Sequence, residues 1–210
     1  MKKSWLSLGV LLTGVLLVSG CSTVKDPATA GSTTATADNW RITPNAVGPL
    51  RLGMTAVEAE AALGQAYVVI KPPAQPIVVI NAQHVVRDGA ARKMAEFLVE
   101  DFLQPNKPGN PIVTILAMSP RVATAEGVTP EMTVDAAVVI YGPAKLRKSD
   151  EEGFGGEWVT FPRAPAGLRF AVSGPEGGQA GLYEPGTFES AGYVQGARIH
   201  AIEIGRMFLN

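Results

Sequence analysis

The chain has 210 residues, a formal net charge of −1 and one cysteine, Cys21. No stripe of basic residues occurs among its 18 lysines and arginines, which argues against a nucleic-acid partner. A single thiol cannot form an intramolecular disulfide or a cysteine-ligated zinc site, so the folded part must depend on an apolar core.

The first 20 residues have the pattern of an export signal, with two lysines followed by an apolar run over residues 5–18. The ending VSGC at residues 18–21 resembles the bacterial lipobox, in which cleavage precedes the cysteine and its thiol receives a lipid. A membrane-anchor helix is the alternative, but the run is shorter than the roughly 20 residues that a span needs. We therefore interpret residues 1–20 as a lipoprotein signal peptide.

This resemblance implies that the mature chain begins at Cys21 and is anchored in the membrane by lipid on that residue, palmitate included. More than one acyl chain is needed for stable anchoring. Serine at position 22 resembles the default for transfer to the outer membrane of a Gram-negative cell. We expect an outer-membrane lipoprotein of the cell envelope that faces the periplasm.

Residues 21–39 are predicted to form a flexible tether. After the cysteine they read STVKDPATAGSTTATADN, which is small, polar and without hydrophobic periodicity. Random-coil scaling gives such a segment a span of roughly 20–25 Å, enough to lift a folded domain off a lipid surface. An ordered loop packed on the domain is the alternative.

The stretch GPLRLGMTAVEAEAALG, residues 48–64, predicts a helix of about two turns. Thr55 suits the N-cap, and Glu58 three residues later completes a capping box. Gly64 stands where a helix C-terminus favours the left-handed conformation. We interpret the stretch as a helix start rather than a ligand-binding loop.

A weaker copy follows 78 residues later as EGVTPEMTVDAAVVIYG, residues 126–142. Four of its seventeen residues are identical to those of the first stretch, among them Thr133 at the N-cap position and Gly142 at the end. Asp135 places a negative charge in the first turn, where the helix dipole favours it. The shared pattern predicts a second short helix and an internal repeat.

Runs of β-branched and aromatic residues follow each predicted helix and predict strands. The segment 93–102 could be a helix instead, although we favour a strand. We expect an α+β fold of two repeated units, each a short helix followed by an antiparallel β-meander. The units are placed at residues 40–120 and 121–210.

Gly53-Met54-Thr55 followed by the short helix and Gly64 resembles the GMT module of the SmpA/OmlA lipoproteins and of the β-lactamase inhibitor protein family. The inhibitor carries this module twice in tandem, which implies a tandem fold here. The second copy departs from the pattern with Glu131 in place of glycine. The cysteine pairs of the inhibitor are absent, so its inhibitory role is not implied.

A second resemblance covers residues 46–208. A strand at 112–118, the segment 119–128 and a short helix ending in Tyr141-Gly142 are similar to the sigma-E-regulated lipoproteins of unknown function. A tryptophan-bearing hairpin and an isoleucine-rich last strand also fit. This resemblance implies an envelope lipoprotein with no assigned activity.

No catalytic, cofactor-binding or metal-binding set is expected. His84 and His200 stand in separate predicted strands without motif partners, although a sheet could bring two distant histidines together at a metal. The acids at 150–152 do not have the alternating spacing of a calcium loop and suit a solvated turn. The segment 174–178, GPEGG, lacks the Gly-Lys-Ser/Thr ending of a phosphate loop.

The glycine-rich segment 173–197 is the strongest candidate for a contact with a partner, because loops this long are usually functional or disordered. The candidate partner-binding residues are Tyr183, Phe188 and Tyr193 in this loop, with Trp158 as a weaker one. Alternatively, the aromatic side chains fold back onto the core.

We therefore expect a non-catalytic interaction or scaffold module that binds another envelope protein or cell-wall material, with no prediction of its oligomeric state. Two alternatives remain open. One is an inhibitor or sensor of an envelope enzyme, and the other is a hydrolase with an unrecognised site.

Overall fold

The computed structural model describes residues 40–70, 81–100, 109–149 and 156–205. The predicted signal peptide, Cys21, the tether up to residue 39 and the acidic turn at 150–152 lie outside the described residues. None of the helices in the described part of the chain has the length and apolar content needed to cross a lipid bilayer.

The described residues form two α-helices and thirteen strands, numbered in chain order. The helices are α1 (Ala56–Leu63) and α2 (Val134–Tyr141). The strands are β1 (Trp40–Thr43), β2 (Ala46–Val47), β3 (Leu50–Arg51), β4 (Tyr67–Ile70), β5 (Asn81–Asp88), β6 (Lys93–Glu100), β7 (Ile112–Ala117), β8 (Val122–Thr124), β9 (Lys145–Lys148), β10 (Glu157–Thr160), β11 (Leu168–Ser173), β12 (Glu189–Ser190) and β13 (Arg198–Gly205).

Nine strands form one antiparallel sheet in the order β12-β9-β10-β11-β13-β7-β6-β5-β4. The strands after α1, β4 to β7, occupy one side of this sheet in sequential order. The strands after α2 occupy the other side, and the two sets meet where β7 pairs with β13. The predicted α+β class is confirmed, and the segment 93–102 contains a strand rather than a helix.

A second sheet has four strands in the order β3-β2-β1-β8. Its β1–β8 pair is parallel, with Trp40 opposite Val122 and Ile42 opposite Thr124. The pairing joins the start of the first predicted unit, residues 40–120, to the start of the second, residues 121–210, which the sequence did not indicate. Strands this short contain too few residues to display the two-residue period by which strands are predicted.

The helix N-termini follow the prediction. In α1, Glu58 N donates to Thr55 Oγ1 at 3.2 Å, and Thr55 N donates to Glu58 Oε2 at 2.8 Å, which completes the capping box. In α2, Ala136 N donates to Thr133 Oγ1 at 3.2 Å.

The helix ends differ from the prediction in one angle. Gly64 and Gly142 have positive φ of 62° and 90°, but their ψ values of −162° and −172° are extended rather than left-handed helical. Gly64 begins a 3-10 turn, Gly64–Ala66, that leads into β4, and Gly142 precedes β9 by three residues.

The apolar core combines one face of the nine-stranded sheet with the helices and the small sheet. Residues of neighbouring strands that stand opposite each other share a face, and this face includes Phe97, Ile115, Phe170 and Ile204. They belong to one buried cluster with residues of the other elements: Val47, Leu50, Ala59 and Tyr141. The opposite face carries polar side chains, including Glu96 and Glu203.

Candidate functional site

The glycine-rich loop, residues 173–197, is attached along the β9 edge of the large sheet. Its short strand β12 pairs with β9, and Lys148 N donates to Phe188 O at 2.9 Å. Within the loop, Leu182 N donates to Gly192 O and Val194 N to Ala180 O, at 2.9 and 2.8 Å. These hydrogen bonds join residues 180–182 to residues 192–194, so the loop folds back on itself with a defined backbone.

Glu157 on β10 fastens the loop to the sheet. Its two carboxylate oxygens accept hydrogen bonds from Ala180 N at 2.5 Å and from Gly181 N at 2.8 Å. Hydrogen bonds to a carboxylate are stronger than those between neutral groups. A Cβ at position 181 would lie 2.5 Å from the ring of Tyr183, so glycine lets the ring lie directly on the backbone.

The ammonium group of Lys148 lies between two aromatic rings of the loop. Its Nζ is 4.7 Å from the ring centre of Tyr183 and 5.7 Å from that of Phe188. Both distances suit a cation–π attraction, which is worth roughly 0.5–2 kcal/mol depending on solvent exposure. Two of the four predicted partner-binding residues therefore converge on one lysine.

The two rings differ in their exposure. The Tyr183 hydroxyl is buried and has no hydrogen-bond partner of good geometry. Burial and the nearby Glu157 carboxylate raise the pKa of Tyr183. Phe188 is 45% exposed and Leu182 59%, so the outer side of the loop presents apolar surface.

An open pocket of about 420 Å³ lies beneath the loop at the end of β9 and β10. Glycines and Val172 form part of its wall. Its polar lining consists of Lys148, Ser149, Glu157, Ser173, Gln179 and His200. Strand alternation places the side chains of Lys148 and Glu157 on one face of the sheet and that of Ser173 on the other.

The two histidines lie apart. His84 on β5 is buried and stacked on Phe97 at 4.6 Å, whereas His200 on β13 has an exposed side chain at the pocket. Strands β6 and β7 separate β5 from β13, which corresponds to about 14 Å at 4.8 Å per strand. Desolvation lowers the pKa of His200.

Trp158 lies on the opposite face of the sheet from the Glu157 side chain, because it follows Glu157 directly in β10. Arg169 lies over its ring, 4.4 Å from the centre, and also forms an ion pair with Glu203 at 2.6 Å. Trp158 therefore contacts Arg169 and takes no part in the contacts of Lys148 with the loop.

Tyr193 packs against the start of α2. Its hydroxyl donates to Asp135 Oδ1 at 2.8 Å, and burial together with this carboxylate raises the pKa of Tyr193. The ring also packs against the buried cluster. The alternative in which loop aromatics fold back onto the core thus describes Tyr193 and, in part, Tyr183.

The sequence interpretation missed Lys148 and Glu157. Lys148 stands in an ordinary charged run, and Glu157 precedes the loop residues that it binds by more than 20 positions. Neither contact has a local sequence signature. Only the loop composition indicated this region.

Within the described ranges, no group of three or more histidine, cysteine, aspartate or glutamate side chains could hold a metal ion. Comparisons of the chain with protein-family models, with curated proteins and with solved structures give no match.

Proposed function

We propose that this protein is a lipid-anchored envelope protein that acts as a non-catalytic interaction module. The observation that carries this proposal is the ordered glycine-rich loop, which exposes Leu182 and Phe188 while Glu157 holds its backbone. We propose that its partner is another envelope protein, which docks on this outer side of the loop.

The geometry of the loop favours protein recognition. Large apolar side chains on a polar surface are typical anchor residues of interfaces. Five such side chains are well exposed in the described part of the chain, and two of them, Leu182 and Phe188, lie in this loop. A loop already fixed by hydrogen bonds loses less conformational entropy on binding than a mobile one.

Location in the envelope is supported by the N-terminal sequence. The lipobox-like ending before Cys21 and the polar residues after it are typical of a lipid anchor and a tether. The resemblance to envelope lipoproteins supports the same location. A module held near the outer membrane in this way would meet periplasmic partners within the reach of its tether.

We also infer that the two halves are copies of one helix-plus-meander unit. Thr55 bridges to Pro111 just before β7, and Thr133 bridges to Arg198 at the start of β13. Each helix is thus joined, in the same way, to the strand at which its own half meets the other half. Apart from the two-residue β12, the strands run outward from the β7–β13 pair in the orders β7-β6-β5-β4 and β13-β11-β10-β9, four on each side, which also supports this inference.

Crosslinking in intact cells tests the interaction module. Cells would express the full chain, a loop variant (Leu182→Ser with Phe188→Ser) and a control variant (Val57→Ser with Val139→Ser) that alters exposed apolar residues on the helices. We expect crosslinked protein partners with the unaltered chain and the control, and their loss with the loop variant. Equal partners in all three would contradict the docking surface, and no protein partner in any would contradict the function.

A further inference from the structure

The outward side of α2 is apolar at its centre. The helix packs three residues against the core, namely Val134, Ala137 and Tyr141. This leaves Ala136 and Val139 facing solvent, with the half-buried Ile140 beside them. Val139 is 80% exposed, more than any other large apolar side chain of the described residues. We call these three apolar residues, with the charged Asp135 and Arg163 at the ends of the helix, the α2 face.

The two ends of the α2 face carry opposite charges. Asp135 lies in the first turn, and its Oδ1 accepts a hydrogen bond from the Tyr193 hydroxyl at 2.8 Å. Arg163 lies at the last turn, where its Nη2 donates to Val139 O at 3.5 Å. Within the described ranges, neither Asp135 nor Arg163 forms an ion pair. Each therefore keeps its charge available for a partner.

We propose that the α2 face pairs with the α2 face of a second copy of this chain, with the two helices antiparallel. Asp135 and Val139 are four residues apart, which is about 6 Å along a helix axis. In an antiparallel pair, Asp135 of each copy comes level with the Val139 carbonyl of the other copy, and so with its Arg163. A two-fold axis, the commonest symmetry of homodimers, forms both ion pairs. A parallel pair would place like charges opposite each other instead.

The corresponding side of α1 does not suit such a pair. The offset of the sequence repeat places Glu58 of α1 at the position of Ala136 and Ala61 at the position of Val139. Two antiparallel α1 helices would bring Glu58 carboxylates to the centre of the contact, where like charges repel. In α2 the small Ala136 side chain lets two helix axes approach closely.

The contact is small and therefore weak. The helix has eight residues, which gives a length of about 12 Å. A pair of such helices buries less than the roughly 1,200 Å² at which standard stable interfaces begin. Copies held on one membrane have a high effective concentration, which favours weak contacts between them. This last step rests on the proposed lipid anchor, whereas the pairing itself does not.

Crosslinking in intact cells that make two tagged copies of the full chain measures the pairing. One copy is purified by its affinity tag under denaturing conditions after treatment with a lysine-reactive crosslinker, and the other is detected by its epitope. We expect the two copies of the unaltered chain to be crosslinked. Val139→Glu in both copies places like charges at the centre and should lower the yield about tenfold or more. Val57→Glu, at an exposed valine of α1, is the matched control and should keep the yield.

Exchange of charges tests the antiparallel orientation. Asp135→Arg in both copies, or Arg163→Asp in both, leaves like charges opposite each other and should also lower the yield. One copy with Asp135→Arg and the other with Arg163→Asp again has two unlike pairs, and should return the yield to that of the unaltered chain. Recovery in this mixture also shows that each variant is folded.

The variants of the previous experiment separate this proposal from the docking of an envelope partner. Leu182→Ser with Phe188→Ser should lose the envelope partner and keep the crosslink between copies. Val57→Ser with Val139→Ser should keep the partner and weaken that crosslink. The dimer would be overturned by absence of a crosslink between copies, by equal yields with Val139→Glu and Val57→Glu, or by lack of recovery in the mixture. Loss of the crosslink in the loop variant would also overturn it, because the loop would then join the copies.

Discussion

Gly53 and Glu131 both have a positive φ at the entry to the two helices. Their φ angles are 88° and 69°. Gly53 N donates to Ile112 O at 2.8 Å, and Glu131 N donates to Ile199 O at 2.6 Å. Glycine adopts positive φ without strain, whereas glutamate there brings its Cβ too close to the backbone. The second helix entry is therefore a strained version of the first.

Replacing Glu131 with glycine should stabilise the protein. Relief of the left-handed strain gains roughly 1–2 kcal/mol, and the greater freedom of glycine in the unfolded chain offsets about half of it. We expect a net increase of about 0.5–1 kcal/mol in the free energy of unfolding, measured by urea denaturation. Glu184→Gly, at a loop position without positive φ, should lower that free energy or leave it unchanged. A less stable Glu131→Gly variant would contradict the strain at this site.

Replacing Gly48 with alanine should destabilise the protein strongly. Gly48 has φ of +57°, and a Cβ there would lie 2.4 Å from Cδ2 of the buried Trp40. Steric overlap and strain together predict a loss of about 2–4 kcal/mol. Gly64→Ala is the control, because φ is +62° there and no atom lies within 4 Å of the added Cβ. An equal decrease in the free energy of unfolding of the two variants would show that overlap with Trp40 adds no destabilisation.

Tyr141 joins Thr124 and Glu126 in a partly buried hydrogen-bond network. Its hydroxyl donates to Glu126 Oε2 at 2.6 Å, and its oxygen lies 2.7 Å from Thr124 Oγ1. Tyr141→Phe should lower the free energy of unfolding by about 1–3 kcal/mol at pH 7, because the buried Thr124 hydroxyl loses one partner. Thermal unfolding of the variant measures this. A Tm equal to that of the unaltered chain would rule out a stabilising network.

The same network predicts a dependence on pH. Burial, followed by the Glu126 hydrogen bond, raises the pKa of Tyr141 from 10.0 to about 12. A raised folded-state pKa gives stability that is complete below pH 10 and is lost as the pH rises through 12. The Tyr141 hydrogen bond lowers the pKa of Glu126, so that contribution is present above about pH 4.5 and is lost in acid. The stability difference between the unaltered chain and Tyr141→Phe should therefore shrink at both extremes. A constant difference from pH 3 to pH 12 would contradict this coupling.

Glu157→Ala should release the glycine-rich loop. Without the carboxylate, Ala180 N and Gly181 N lose their acceptors, and hydrogen exchange of these two amides should accelerate about tenfold or more. The amides of β7 should keep their protection, since they belong to the sheet centre. Glu203→Ala, on the opposite face, is the control and should leave the two loop amides protected. Unchanged exchange in Glu157→Ala would mean that other contacts hold the loop.

Replacing Cys21 with serine tests the lipid anchor. Cells supplied with labelled palmitate should label the unaltered chain and not Cys21→Ser, since the thiol is the expected site of lipid attachment. The variant should also move from the membrane fraction to the soluble fraction after cell lysis. Labelling of Cys21→Ser at the level of the unaltered chain would contradict the anchor.

Local features were predictable from the sequence, and distant contacts were not. The cap formed by Thr55 and Glu58 depends on two residues three positions apart, so its pattern is legible in the chain. The parallel pairing of β1 with β8 joins segments about 80 residues apart, and neither has enough residues to show a period. The contacts of Lys148 and Glu157 with the loop are set by the fold of the sheet edge. Loop composition indicated Tyr183 and Phe188, and only the tertiary structure adds the lysine between their rings.

The pairing of β7 with β13 has a consequence for folding order. Strand β13 is the last described strand. Because synthesis proceeds from the N-terminus, one edge of β7 stays unpaired until residues 198–205 have been made. An unpaired apolar strand edge is a template for aggregation. Closure of the sheet also requires contacts between residues far apart in sequence, which slows folding. The protein is therefore most prone to aggregation before β13 has been made, and chaperone binding would protect it most at that stage.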